Sequence, residues 1–373
     1  MAESPETSPR NAAAPTPAIA QRWDVFCRVI DNHGDLGVCL RLARDLAARG
    51  QQVRLWCDNL GALTWMQPTA IPGVQALPWE QSENAAPADV VIETFGCEPP
   101  APYLAAMAAR CTAPVWINLE YLSAEDYVER SHGLQSPQFS GPGKGLTKWF
   151  FYPGFTTRTG GLLREPGLVD QVQTHQDALW LAERGWGREP GERVLSLFAY
   201  PQAPWDGLLD ALPGRWRLLL CPGAGQQAVP PRLRPGQRHV CLPYLSQADY
   251  DRLLWSCDLN LVRGEDSFVR AQWAGQPMLW QIYFQDDGAH SPKLGAFLDR
   301  AWEGSDAALR ADWLALNRAW NGLAPWEHSA RAALDSLPAA RGQSCTWRAK
   351  LMEQADLVTQ LMGFALGKAG VSS

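Results

Sequence analysis

Trp23-Asp24-Val25-Phe26-Cys27-Arg28-Val29-Ile30 is a β-branched and aromatic run that empties into the loop Asp31-Asn32-His33-Gly34-Asp35. After the loop, Leu36, Leu40, Ala43, Leu46 and Ala47 recur at helical spacing, and Gly50 stands where a helix C-cap is expected. Gln52 to Trp56 then resumes an extended, apolar pattern. Strand, helix and strand joined by short connections make a βαβ unit, the building block of a parallel sheet.

The alternation continues outward from this unit. Strands are predicted at Asp89–Thr94, Val115–Leu119 and Trp149–Tyr152, with a helix around Pro102–Arg110 and a Gly-rich stretch at Pro153–Leu163. Arg184 to Glu192 turns polar and rich in Gly and Pro, and reads as a linker. A second series follows, with strands at Val194–Tyr200, Arg217–Cys221, His239–Leu242, Leu259–Val262 and Met278–Ile282. Helices are expected at Gln247–Ser256 and Ser267–Ala274, and Pro292 to about Gly367 reads as helical. The fold class is therefore α/β, with two doubly wound, Rossmann-like domains facing each other across a cleft. The expected divisions are a disordered tail at 1–21, domains at 22–184 and 185–345, and a C-terminal helix within 346–373, free to pack back on the N-terminal domain.

Composition narrows the function. With 373 residues, 46% of them hydrophobic, the chain has enough apolar surface for two cores, and most of its 18 tryptophans are expected inside them. A net charge of −6 gives no general attraction to nucleic acid or to an anionic membrane. The basic cluster Arg232 to Arg238 reads as a solvated loop or a local phosphate contact. Nine cysteines occur singly, without a CxxC pair and several within apolar runs, which fits buried reduced thiols in a cytoplasmic protein. The Ala/Pro/Ser/Thr-rich start lacks the apolar core of a signal peptide.

Two loops carry the candidate chemistry, each between a strand and a helix, where doubly wound sheets bind ligands. In Asp31 to Gly37 a carboxylate can act as general base, or Asp35 can cap the helix that follows. Gly34 and Gly37 do not form a dinucleotide fingerprint. In Val262-Arg263-Gly264-Glu265-Asp266-Ser267-Phe268, a helix N-terminus and the Arg263 guanidinium together suit a pyrophosphate. The alternative has Asp266 or Ser267 as an ordinary cap and Arg263 in an ion pair. Tyr244 and Gln247 offer an aromatic face and an amide, the needs of a pyrimidine base. Asp286-Asp287 lacks the DxD pattern of metal-dependent sugar-nucleotide enzymes, and the six histidines show no ligand spacing.

The strings DNHGDLG (31–37), NLEYLSA (118–124), FYPGF (151–155), TGGLLRE (159–165) and DLNLVRGEDSFVRAQWAGQP (258–277) resemble the EarP family. The resemblance implies a GT-B glycosyltransferase fold and an inverting transfer of rhamnose. It implies dTDP-β-L-rhamnose as donor and an arginine of elongation factor P as acceptor; with Arg263 and a helix N-terminus for the diphosphate and no metal-binding carboxylate pair in the sequence, no metal cofactor is expected. Matched position by position, Asp31, Asp35 and Glu265 carry the acidic chemistry, and Arg263, Asp266 and Ser267 match diphosphate and nucleotide contacts. Tyr244 falls at the base-stacking position, Gln247 beside the base, and Tyr200 at a further donor contact. The alternatives are a GT-B transferase with another nucleotide sugar and acceptor, and a non-catalytic nucleotide-binding partner of a translation factor.

Overall fold

In the computed structural model, which describes residues 21–30, 33–285, 288–326 and 328–369, the opening run forms β1 (Arg22–Cys27) and the helical spacing forms the helix Gly34–Ala48. The tail at 1–20 lies outside the described residues, as do Asp31, Asn32, Asp286 and Asp287. β1 stops at Cys27 rather than at Ile30, because the chain is drawn aside there by two side chains. The Val29 amide donates to Asp58 Oδ1 at 3.0 Å and the Ile30 amide to Asp35 Oδ2 at 2.8 Å.

The first sheet adds β2 (Gln52–Cys57), β3 (Val74–Pro78), β4 (Val90–Thr94), β5 (Val115–Leu119), β6 (Gln135–Pro137) and β7 (Thr147–Phe151). Their order is β3-β2-β1-β4-β5-β7-β6, parallel throughout except for β6 against β7. β3 and β6 were not expected. Val-Gln-Ala-Leu-Pro carries a single β-branched residue and a largely half-exposed edge, and β6 ends in a proline that only an edge strand tolerates. Alternation sends Trp23, Val25 and Cys27 to one face, beneath Leu36, Leu40, Ala43 and Leu46 of the first helix. Phe26 points the other way, among Trp56, Trp79, Tyr103 and Trp116.

The second sheet holds β8 (Glu192–Leu197), β9 (Arg215–Leu220), β10 (Gln237–Cys241), β11 (Leu259–Arg263) and β12 (Met278–Gln281), all parallel, in the order β10-β9-β8-β11-β12. Glu192, expected in the linker, already begins β8. Many of the tryptophans settle in the core of this half, including Trp216, Trp273, Trp313 and Trp320. The nine cysteines are all free, most of them buried.

Helix Leu337–Met352 runs unbroken through position 346, and its Trp347 and Leu351 remain in the second core. The last helix, Leu357–Ala369, instead crosses back. Leu357, Val358, Leu361 and Ala365 join the core of the first sheet, and Arg49 Nη2 holds Asp356 Oδ1 at 2.7 Å beside the helix start. Among the described residues, no helix is long and apolar enough to cross a membrane.

In each sheet the strand order reverses around the first strand of its half, β1 between β2 and β4, β8 between β9 and β11. Such reversal points open a crevice at the strands' carboxyl ends. The loops after β1 and β11 both start there.

Candidate active site

The floor of the crevice is a joint between the halves. Gly37, in the first turn of helix Gly34–Ala48, lies so close to helix Asp266–Ala274 that a Cβ would stand 2.9 Å from Asp266 Oδ2. One turn on, Arg41 is 1% exposed and reaches across with every guanidinium nitrogen. Its Nε donates to Asp266 Oδ1 at 2.6 Å, and Nη1 and Nη2 grip Asp251 at 2.9 Å each. Arg270 holds the same Asp251 from the other side, at 3.0 and 2.8 Å, and donates to Glu165 Oε2 at 2.6 Å. Arg44 completes the set with Glu165 Oε1 at 3.0 Å. Three arginines thus face three carboxylates, so the buried charges are paired and hydrogen-bonded rather than stranded. Burial works to raise the Glu165 carboxyl, but Arg270 and Arg41 overcome it and hold Glu165 well below the usual carboxylate range.

Above this joint lies a cavity of about 220 Å³ lined by both halves. Arg263, Asp266, Ser267, Tyr244 and Gln247, all expected at the donor, line it together. The Arg263 guanidinium is stacked over Phe198 at 4.3 Å and over Tyr200 at 4.5 Å, which fixes the plane of its fork. Tyr200 itself is 5% exposed and absent from the cavity lining, so it stands beneath Arg263 as a support. Ser267 Oγ donates to the Arg263 carbonyl. Residue Glu265 occupies the helix N-cap position without a side-chain cap bond, so neither Asp266 nor Ser267 serves as the cap. Gln247 Nε2 donates to the Gly37 carbonyl at 2.9 Å across the crevice, and its buried Oε1 has no partner among the described residues. On the first half's side the wall is made by His33, Trp65 and Met66, none of which was foreseen at the donor. Burial and the Arg263 charge together lower the His33 pKa, which favours the neutral imidazole.

The acidic residues stand apart from this lining. Asp35 is 5% exposed and accepts from the Ile30 amide, whereas His33 holds the cap position of its helix; Asp35 is no N-cap. Glu265 Oε2 accepts from the Leu122 amide at 2.9 Å, inside the NLEYLSA string. Burial pushes the Glu265 carboxyl up to about 7; Lys293 and the Leu122 amide oppose this, and the charge of Asp35 adds to it. Asp31 lies outside the described residues. Among the described residues no three His, Cys, Asp or Glu side chains are grouped to hold a metal ion.

The remaining familiar strings belong to the joint. Phe155 of FYPGF packs against Phe268, Phe297 and Trp347 of the second half, Glu165 of TGGLLRE is the acid shared by three arginines, and the Leu163 carbonyl accepts from Trp273 Nε1 at 2.8 Å.

Comparison with known proteins agrees with this arrangement. The sequence profile of the EarP family, described as "Elongation-Factor P (EF-P) rhamnosyltransferase EarP", matches residues 23–366. The protein-arginine rhamnosyltransferase of Pseudomonas putida is 46% identical, over 92% of this chain and 98% of that protein. A solved structure described as "Structural basis for EarP-mediated arginine glycosylation of translation elongation factor EF-P" superposes with a TM-score of 0.66 at 34% identity, covering 93% of this chain and 99% of that one. The calicheamicin glycosyltransferase CalG4 shares the fold alone, with a TM-score of 0.52 at 13% identity over 94% of this chain and 99% of the other. A GT-B architecture, a crevice that gathers Arg263, Asp35 and Glu265, and a family match over nearly the whole chain lead to one assignment: the chain belongs to the EarP family of elongation-factor-P rhamnosyltransferases.

Proposed function

We propose that this protein transfers L-rhamnose from dTDP-β-L-rhamnose to an arginine side chain of elongation factor P, with inversion at the sugar carbon. The observation that carries the reading is the convergence at one crevice of a stacked Arg263 beside a helix N-terminus and two carboxyl groups, Asp35 from the first half and Glu265 from the second. The first half serves the acceptor and the second the donor. The diphosphate lies against Arg263 and the amides at the start of helix Asp266–Ala274, which supply its countercharge without a metal. The base lies beside Tyr244, with the free Gln247 Oε1 as acceptor for a ring N–H. Asp266, its charge balanced by Arg41, is left to accept from a donor hydroxyl.

On the acceptor side, a free guanidinium keeps its proton to about pH 12 or above, so no carboxylate removes it in the ground state. The guanidinium nitrogen attacks the anomeric carbon, the bond from that carbon to the diphosphate oxygen breaks, and dTDP leaves with the electron pair. As the new C–N bond forms, the nitrogen becomes acidic and its proton passes to Asp35. Glu265 and Asp31 orient the planar cation, which presents several N–H groups to several acids at once. Reduced thiols and this substrate fit a cytoplasmic enzyme.

The test is mass spectrometry of purified elongation factor P incubated with this protein and dTDP-rhamnose in excess EDTA. A mass gain of one deoxyhexose is expected on the wild-type acceptor and none when its target arginine is lysine. Loss of the gain in EDTA, restored by magnesium or manganese, would refute metal independence. Equal modification of the lysine form would refute guanidinium selection.

A further inference from the structure

Two aromatic rings from opposite halves meet at the cavity. Trp65 sits in the short helix Leu63–Met66, between β2 and β3, with its ring centroid 4.6 Å from that of Tyr244 and a tilt of 33°. His33 backs it edge-on at 5.4 Å. Stacked or tilted aromatic pairs span roughly 4.5–7 Å between centroids, so a third ring between these two would require a separation of about 9 Å or more. The face of Tyr244 that meets Trp65 is therefore occupied.

The volume leads to the same point. The cavity measures about 220 Å³, while pockets for small ligands typically run roughly 300–1,000 Å³. Further room for a nucleotide sugar is gained most simply where the wall is loosest. The joint below is made of the buried Arg41 pairs and the Gln247–Gly37 bond, and opening it would break those pairs together. The aromatic pair is different: Trp65 is half-buried on a four-residue helix, and Tyr244 is 57% exposed.

We infer that Trp65 is a stand-in for the base of the donor, seated on Tyr244 and displaced when the base takes that seat. The inference rests on the donor placement proposed above. Trp65 is then a specificity-determining residue. Only a ligand whose flat ring recovers the stacking on Tyr244 compensates for its displacement, and the sugar and diphosphate alone do not.

The test is stopped-flow and calorimetric binding of dTDP to the full chain and to its Trp65→Ala, Trp65→Phe and Arg263→Ala variants. Removing the competing ring should raise the on-rate and tighten dTDP about three- to tenfold in Trp65→Ala, with the off-rate little changed. Trp65→Phe, which keeps a ring and the local packing, should fall between Trp65→Ala and wild type. Inorganic pyrophosphate, which has no ring to seat, should bind all but Arg263→Ala alike. Weaker dTDP binding in Trp65→Ala at an unchanged on-rate would make Trp65 a fixed wall and overturn the inference. Unchanged binding would overturn it too. If Arg263→Ala binds dTDP as wild type does, the donor placement itself fails, whatever the Trp65 variants show.

Discussion

Burial lifts the Glu265 carboxyl to about 7, so this residue changes charge within the ordinary assay range. A carboxyl of ordinary pKa would be ionised throughout that range; here the neutral form dominates below about 7 and cannot attract a guanidinium. The kcat/KM for the acceptor protein should therefore fall as pH is lowered through neutrality, since that ratio reports the free enzyme. Glu265→Gln should be slow at every pH and lack this limb; a profile with the same limb would assign it to another group. The stability effect has the opposite sense. The ionised form is disfavoured in the folded state, so Glu265→Gln should gain stability above about 7 and lose that gain below the unfolded carboxyl's pKa. Asp35 tests the chemistry more directly. Asp35→Asn keeps an oxygen to accept from the Ile30 amide and is not asked to cap a helix. It should retain dTDP affinity and melting temperature while transfer nearly disappears. Substantial residual turnover would remove Asp35 as the proton acceptor.

Among the elements, the contact between helices Gly34–Ala48 and Asp266–Ala274 is the tightest point of the site. Asp266 Oδ2 stands where a Gly37 Cβ would intrude, and Asp266 cannot swing freely because Arg41 holds its other oxygen at 2.6 Å. Gly37→Ala should cost about 1–3 kcal/mol as overpacking and, by pushing the Ser267 end of its helix aside, weaken dTDP binding. A variant with unchanged urea midpoint and dTDP affinity would mean the helices separate without cost. Local signals made much of this legible beforehand. The strand–loop–helix pattern placed DNHGD and RGEDS at the crevice, and short apolar runs rich in β-branched and aromatic residues announced most central strands. What was not legible depends on distant partners. Arg41 reads as one more position on a helix, although Gly37, Arg41 and Arg44 form a stripe at i, i+4 and i+7 that faces the other half. Trp65 lies in a helix too short for periodicity, and Asp24 hides in an apolar strand, where Arg54, Trp56 and Tyr103 satisfy it.

For the molecule as a whole, the six-residue charge cluster decides whether the halves hold one arrangement. Arg41→Met leaves Asp251 and Asp266 with fewer partners in a buried place, and removing one member of such a pair commonly costs about 3–5 kcal/mol. Denaturant titration should show that loss almost independent of salt, because the pairs are shielded from mobile ions. Strong salt dependence would place the cluster in contact with solvent. The returning helix Leu357–Ala369 has a consequence for biosynthesis. Its four buried side chains cover the face of the first sheet's core that also holds Leu36, Leu46 and Ile117. During translation domains generally fold as units, N-terminal first. Here the first half leaves the ribosome early yet lacks part of its cover until the whole second half has been made. The nascent chain thus carries an apolar face throughout that interval, which makes it a client for chaperones, and a stop codon just after Met352 would leave that face bare for good.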